Sequence, residues 1–266
     1  MDRSDRQREL NAQASMVQDH TDGATVSAVA PIRLVCLDLA VTTIGDTALI
    51  ERAFAEAIAT QGIVPGTSAY ARAMVHVHRS RGCSTIDVFR GIFPANEAQA
   101  QAAHLTFERA CEGAIERAGL VPPPGTIEVL DKLRGSGVRI CLITGLSRNT
   151  LSRVLGTLGW VDKVDLALCP EDVGRGRPWP DMILHAILRL GIDDVHHVAV
   201  VGETESDMLA GRRAGAQVTA GILTGAQSQE RLLAGGATHI LPAITSLPDL
   251  ILTTDATTHH TTATAR

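Results

Sequence analysis

Apolar residues come in short blocks along the chain, and longer stretches of helical period fill the intervals between them. The first block, IRLVCLDL at residues 32–39, is apolar on both alternating faces and carries its acid, Asp38, near its end. Strands buried on both faces of a parallel sheet read this way, and ligands gather at their carboxyl ends. Asp38 is therefore a functional candidate from position alone. VRICLIT at 138–144, VDLALC at 164–169, HHVAVVGE at 196–203 and the stretch 216–222 are further predicted strands, with 238–241 as an edge strand. Helical spacing intervenes each time, in IEVLDKLRGSG, SRNTLSRVLGTLG, PDMILHAILRLG at 180–191, and the segments near 204–214 and 227–234. This alternation predicts an α/β fold with a mostly parallel sheet and right-handed crossovers.

One interval breaks the rhythm. After the first strand, helical spacing runs through 47–61 and recurs at 66–78, 84–91 and 97–118, punctuated by PG, RG and FPAN and closed by Gly119 and the run Pro122 to Gly125. No strand pattern of comparable clarity lies among them. The expected division is therefore an all-helical insertion over 46–124, set between core segments 31–45 and 125–252. Residues 1–30 lack an apolar signal region, and the Thr-rich end 253–266 lacks large apolar groups, so both read as disordered tails outside the fold. His259 and His260 belong to the second of these and read as solvated.

Composition narrows the function classes. Only seven of 266 residues are aromatic, four Phe, two Trp and one Tyr, which leaves little for a nucleic-acid surface built on stacked rings. A net charge of -5 from 24 basic and 29 acidic residues supplies neither a polybasic membrane anchor nor a phosphate-backbone binder. No apolar run approaches the ~18 residues of a membrane span. The expected partner is a small metabolite in the cytoplasm, with no nucleic acid and no membrane, and a homodimer is compatible with this reading. Five widely spaced cysteines without a CxxC unit read as isolated thiols. Lysine occurs only at Lys132 and Lys163, so any lysine-dependent step has two positions to draw on.

Four polar clusters fall at strand ends or in neighbouring loops: Asp38, Thr144 with Gly145, Arg175 to Arg177 before Pro178, and Glu203 with Asp207. Each alone can cap a turn or solvate a helix entrance; together they mark the edge where open α/β sheets bind ligands. The segments DLAVTT (38–43), LITGLSR (142–148), GRGRPWPDMI (174–183) and GETESD (202–207) resemble, in this order, the haloacid dehalogenase superfamily, and more closely its phosphonoacetaldehyde hydrolase-like branch. The resemblance implies a Rossmann-like three-layer core with an inserted helical cap of the C1 type. It implies Asp38 as nucleophile on phosphorus, with Thr42, Thr144 and Arg177 as the accompanying catalytic groups. It further implies Mg2+ as cofactor, held by Asp38, the backbone oxygen of Ala40 and Glu203, with Asp207 orienting metal water or positioning the cationic residue. An oxygen donor set without clustered Cys or His suits Mg2+ better than Zn2+. Gly145, Arg148 and Thr85 are the expected substrate-binding positions.

The chain departs from that pattern at four places. Ala40 stands where phosphatases of the superfamily carry an acid, and positioned acid–base catalysis is worth roughly 10²–10⁴-fold. Val41 replaces the branch's usual Gly, and Glu203 its usual Asp. The segment RGCSTIDVF has Thr85 where the resemblance leads one to expect the lysine that forms a Schiff base with an aldehyde substrate. The leading expectation is a Mg2+-dependent phosphomonoester hydrolase of a small phosphorylated metabolite, acting through an aspartyl-phosphate. The alternatives are a phosphonatase-like hydrolase or phosphotransferase acting on a phosphonate, and a catalytically weak phospholigand-binding or protein-interaction relative. Arg72, His76, His78, Arg79 and Arg81 are candidate specificity donors on the insertion, with solvation the plainer reading, and Trp179 is expected to pack in the core.

Overall fold

The computed structural model describes residues 30–39, 47–225 and 227–252, so residues 1–29 of the first expected tail, the whole of the second, and Ala40, Val41 and Thr42 lie outside the described residues. Strand β1 (Leu34–Asp38) sits inside a sheet with β2 (Arg139–Ile143), β3 (Leu166–Leu168), β4 (Val198–Gly202), β5 (Val218–Ile222) and β6 (His239–Leu241). The order is β3-β2-β1-β4-β5-β6, and every pairing is parallel. The order reverses direction at β1, where β2 lies on one side and β4 on the other. This is the switch point at which open α/β sheets form their ligand crevice.

The period of two in the strands decides which helices cover which face. Val35, Leu37, Ile140, Leu142, Ala199 and Val201 share one apolar layer with Leu130 and Leu133 of α5 (Thr126–Gly135) and Leu151 and Val154 of α6 (Arg148–Leu158). Their alternates Leu34, Cys36, Cys141, Ile143, Val198 and Val200 pack instead on Met182, Ile183 and Ala186 of α8 (Asp181–Leu190) and Ala210 and Ala214 of α9 (Glu205–Ala214). The core is thus helices, sheet, helices, as the alternating pattern implies. Helix α10 (Gln229–Gly235) and α11 (Leu247–Leu252) complete the carboxyl-terminal half.

Between β1 and α5 the chain forms α1 (Thr47–Thr60), α2 (Ser68–Arg79), α3 (Thr85–Ile92) and α4 (Glu97–Ala118), with no strand among the described residues there. These helices bury their own cluster, including Phe54, Ile58, Val77, Val88, Phe89, Phe93 and Phe107. All four phenylalanines of the chain fall in it. The Phe54 ring centroid lies 4.5 Å from that of Phe107 and 5.3 Å from that of Phe89. The insertion is also tied to the core, since Arg153 of α6 pairs with Glu112 and Glu116 of α4.

The structure differs from the expected elements in small, explicable ways. VDLALC yields only the three-residue β3, after which Pro170–Val173 forms the short helix α7 that the strand reading missed. Residues 195–197 make a 3-10 turn where the strand was expected to begin, because the Asp194 carboxylate accepts from the His196 backbone N–H at 2.8 Å. Trp179 is exposed where core packing was expected; its ring lies between the guanidinium groups of Arg175 and Arg213, at 4.6 and 5.0 Å. Cation–π contacts satisfy that ring without burying it. All five cysteines are free thiols, in line with the reading of isolated positions.

Candidate active site

Asp38 is the last residue of β1 and is buried at the switch point. Arg177, in the loop between α7 and α8, reaches it from across the sheet edge: Nη1 donates to Asp38 Oδ1 at 2.6 Å and also to Asp207 Oδ1. Both carboxylates and the guanidinium are buried. Burial opposes the charge on Arg177, but the carboxylates of Asp207 and Asp38 outweigh it and hold the guanidinium above its usual range. Nε of Arg177 has no hydrogen-bond partner among the described residues. A buried donor left unpaired costs about 1–3 kcal/mol.

Asp207 owes its place to the first turn of α9. Thr204 caps that helix, its hydroxyl accepting from the Asp207 backbone N–H at 3.3 Å, while Asp207 Oδ2 accepts from the Thr204 backbone at 3.0 Å and its hydroxyl at 2.6 Å. This capping box fixes the carboxylate and leaves its other oxygen for Arg177. Thr144 follows β2; its backbone N–H donates to Leu168 at 3.1 Å and its hydroxyl accepts from the Leu146 N–H at 3.2 Å. Glu203 follows β4 and is half-buried. Burial, then the negative charges of Asp38 and Asp207, push its carboxyl up to about 7, against the opposing pull of Arg81 and Arg177.

A cavity of about 960 Å3, its open mouth included, joins these groups. Asp38, Thr144, Gly145, Arg177, Glu203 and Thr85 all line it. Arg148 does not: it heads α6, paired with Asp172 and 3.3 Å from the Ala167 carbonyl. Of the candidate donors on the insertion only Arg81 lines the cavity, paired with Glu51 of α1. His78 also pairs with Glu51, at 3.2 Å, and His76 lies 3.5 Å from Ser80. Thr85 Oγ1 is engaged with His104 Nε2 at 2.9 Å. The chain's two lysines are elsewhere, Lys132 near Asp249 and Lys163 on Asp131, and neither lines the cavity.

The segment Ser80–Ser84 between α2 and α3, with Thr85 at the start of α3, lies over the site. The Thr85 N–H donates to the Gly145 carbonyl at 3.0 Å, and Cys83 Sγ lies 3.4 Å from Ser206 Oγ. Side chains would obstruct this seating. A Cβ on Gly145 would strike the Cys83 carbonyl, and one on Gly176 would lie 3.0 Å from Ser84 Cβ. Gly145 is thus required for close approach of the backbones, a role that its expected place in a substrate-binding turn did not reveal.

Sequence reasoning missed the apolar wall of the cavity, formed by Ile50, Phe54, Val88 and Phe107, together with Glu51 and Gln227. The concentration of all phenylalanines in the insertion was the available signal.

The donor chemistry fits a hard divalent cation. Asp38 and Glu203 offer carboxylates to one cavity, and burial first, then the negative charges of Asp38 and Asp207, raises Glu203. No group of three or more His, Cys, Asp or Glu arranged for a metal occurs among the described residues. Mg2+ does not need one, because it commonly takes one or two carboxylates and keeps several waters. No helix among the described residues is long and apolar enough to cross a membrane.

Known proteins agree with this architecture. Phosphonoacetaldehyde hydrolase of Pseudomonas fluorescens is 33% identical over 117 residues, 43% of this chain and 41% of that protein. The enzyme of the same name from Bacillus cereus is 36% identical over 107 residues, 39% of each chain. These matches span about two fifths of the relatives' length. Among solved structures, a phosphonoacetaldehyde hydrolase-like protein from Oleispira antarctica superposes with a TM-score of 0.72 at 22% identity, covering 89% of this chain and 97% of its own. A hydrolase from Pseudomonas syringae gives 0.70 at 22% identity, covering 82% and 96%. The profile of the haloacid dehalogenase-like hydrolases matches residues 25–215, and it is to this family that the chain belongs.

Proposed function

We propose that the chain hydrolyses a small phosphomonoester through an aspartyl-phosphate on Asp38, with Mg2+ as cofactor and the helical insertion acting as its cap in a cytoplasmic enzyme. The observation that carries this reading is the meeting of Asp38, Thr144, Arg177 and Glu203 in one cavity at the sheet's switch point. A Asp38 carboxylate oxygen attacks phosphorus and the ester P–O bond breaks, the leaving oxygen taking its proton from solvent. Water then attacks phosphorus in the acyl phosphate, releasing inorganic phosphate and restoring Asp38.

Arg177 holds Asp38 in place, and its positive charge at the cavity wall attracts the phosphoryl oxygens. Thr144 and the turn after it contribute a hydroxyl and backbone N–H groups at the same edge. Asp207, both oxygens engaged, acts by positioning Arg177. Asp38 and Glu203 would hold Mg2+, which supplies neutralisation of charge between carboxylate and phosphate. Ala40 and Thr42, assigned to the metal and the loop by resemblance, keep those assignments as part of the proposal.

The phosphonatase reading loses its amine, because both lysines lie away from the cavity and Thr85 is committed to His104. The experiment is a Mg2+-dependent phosphate-release assay on phosphorylated metabolites with wild-type protein and Asp38→Asn. Metal-dependent release abolished in the variant is expected. Release that survives Asp38→Asn would remove the aspartyl-phosphate mechanism.

A further inference from the structure

The two walls of the cavity differ in chemistry. The sheet edge presents Asp38, Thr144, Arg177 and Glu203 with Leu39 and Leu146 beside them, whereas the insertion presents Ile50, Phe54, Val77, Val88 and Phe107. The polar groups that do lie on the insertion's side are already engaged. Arg81 is paired with Glu51, Thr85 Oγ1 is 2.9 Å from His104, and Cys83 Sγ is 3.4 Å from Ser206 Oγ. A polyhydroxylated substrate placed against these described residues would give up its hydration for little return, and unsatisfied buried hydroxyls are costly. An apolar group would gain from leaving water.

We propose that the substrate's organic part is apolar, a short alkyl chain or an aryl ring seated against Phe54 and Phe107, and that sugar phosphates are poor substrates. This inference rests on the phosphomonoester reading for the site's polar half and adds what the other half selects. Binding energy from the remote apolar group can be used at the reacting phosphorus, so it would appear in kcat/KM. Each methylene that the wall buries should add roughly four-fold, until the chain reaches the mouth.

Two readouts test it. Phosphate release with Mg2+ is followed across n-alkyl phosphates from methyl to hexyl, phenyl phosphate and glucose 6-phosphate. Affinity of Asp38→Asn protein for the n-alkylphosphonates, which have no ester bond to break, is measured by calorimetry in Mg2+. The expected result is a parallel rise of kcat/KM and affinity with chain length, phenyl phosphate at least tenfold above glucose 6-phosphate, and a flattened series in Phe54→Ala. A flat series with glucose 6-phosphate preferred overturns the inference while leaving the phosphatase reading intact. Turnover of no ester, with alkylphosphonate affinity still rising along the series, removes the phosphatase reading and supports the apolar wall. Absence of both turnover and chain-length dependence sinks the two together.

Discussion

Arg177 donates to Asp38 at 2.6 Å across 139 residues of sequence, with both side chains 3% exposed. The same nitrogen serves Asp207, so one guanidinium faces two almost fully buried carboxylates. Attraction within such a group is strong, but so is the cost of stripping the ions of water. The arrangement therefore stores its consequence in what happens when one member is removed.

Replacing Arg177 by Met leaves Asp38 and Asp207 buried without their cation. A loss of about 3–5 kcal/mol in unfolding free energy is expected, measured by urea denaturation in metal-free buffer. Arg177→Lys, which keeps the charge but not the planar fork, should retain more stability and still lose phosphate affinity. A fully stable Arg177→Met protein would show that the buried charges are compensated by another route.

Gly145→Ala tests the closed seating of the segment over the site. The added Cβ meets the Cys83 carbonyl, and the backbone there is not a flexible end that can swing aside. Either the Thr85 to Gly145 hydrogen bond opens or the turn after β2 shifts. Overpacking of this kind costs about 1–3 kcal/mol, and kcat/KM should fall at least tenfold. Faster proteolysis between α2 and α3 would locate the opening; unchanged kinetics would mean that the segment is not seated during turnover.

The strands were legible because two-faced burial demands apolar runs, and Asp38 interrupts such a run where the crevice must lie. Parallel topology then gathers Thr144, Arg177 and Glu203 without any of them being neighbours in sequence. The apolar wall was not legible. Phe54 and Phe107 serve the insertion's own core and the cavity at once, and helical period distinguishes an inward face from an outward one but not a packed contact from a cavity lining. Arg148 misled for the opposite reason: its motif position fits a ligand contact, while the local acid Asp172, on a helix the sequence reading missed, draws its side chain away.

No aldehyde adduct should form in the cavity. Lys132 and Lys163 are engaged near Asp249 and on Asp131, and the expected cap amine is replaced by Thr85. Incubation with phosphonoacetaldehyde and borohydride, followed by peptide mass mapping, is predicted to leave cavity peptides unmodified. A reduced adduct accompanied by phosphate release would restore the Schiff-base reaction as a candidate.

His104 gives the fold a pH dependence. Burial lowers its pKa below the ordinary 6.5, despite the opposing pull of Glu108 at 3.9 Å and of Glu171, and Arg90 adds to the lowering. The unfolded chain therefore binds a proton near 6.5 that the folded protein takes up only at lower pH. Stability from this residue is present above that value and declines as pH falls below it. In the tautomer with the proton on Nδ1, Nε2 accepts from the Thr85 hydroxyl 2.9 Å away, and protonation removes that acceptor. His104→Gln is thus expected to lose stability less steeply than wild type between about pH 7 and pH 5, read from urea midpoints in metal-free buffer, because the substituted side chain has no proton to exchange. Parallel declines in the two proteins would show that His104 titrates alike in the folded and unfolded states, and that the Thr85 contact is insensitive to its charge.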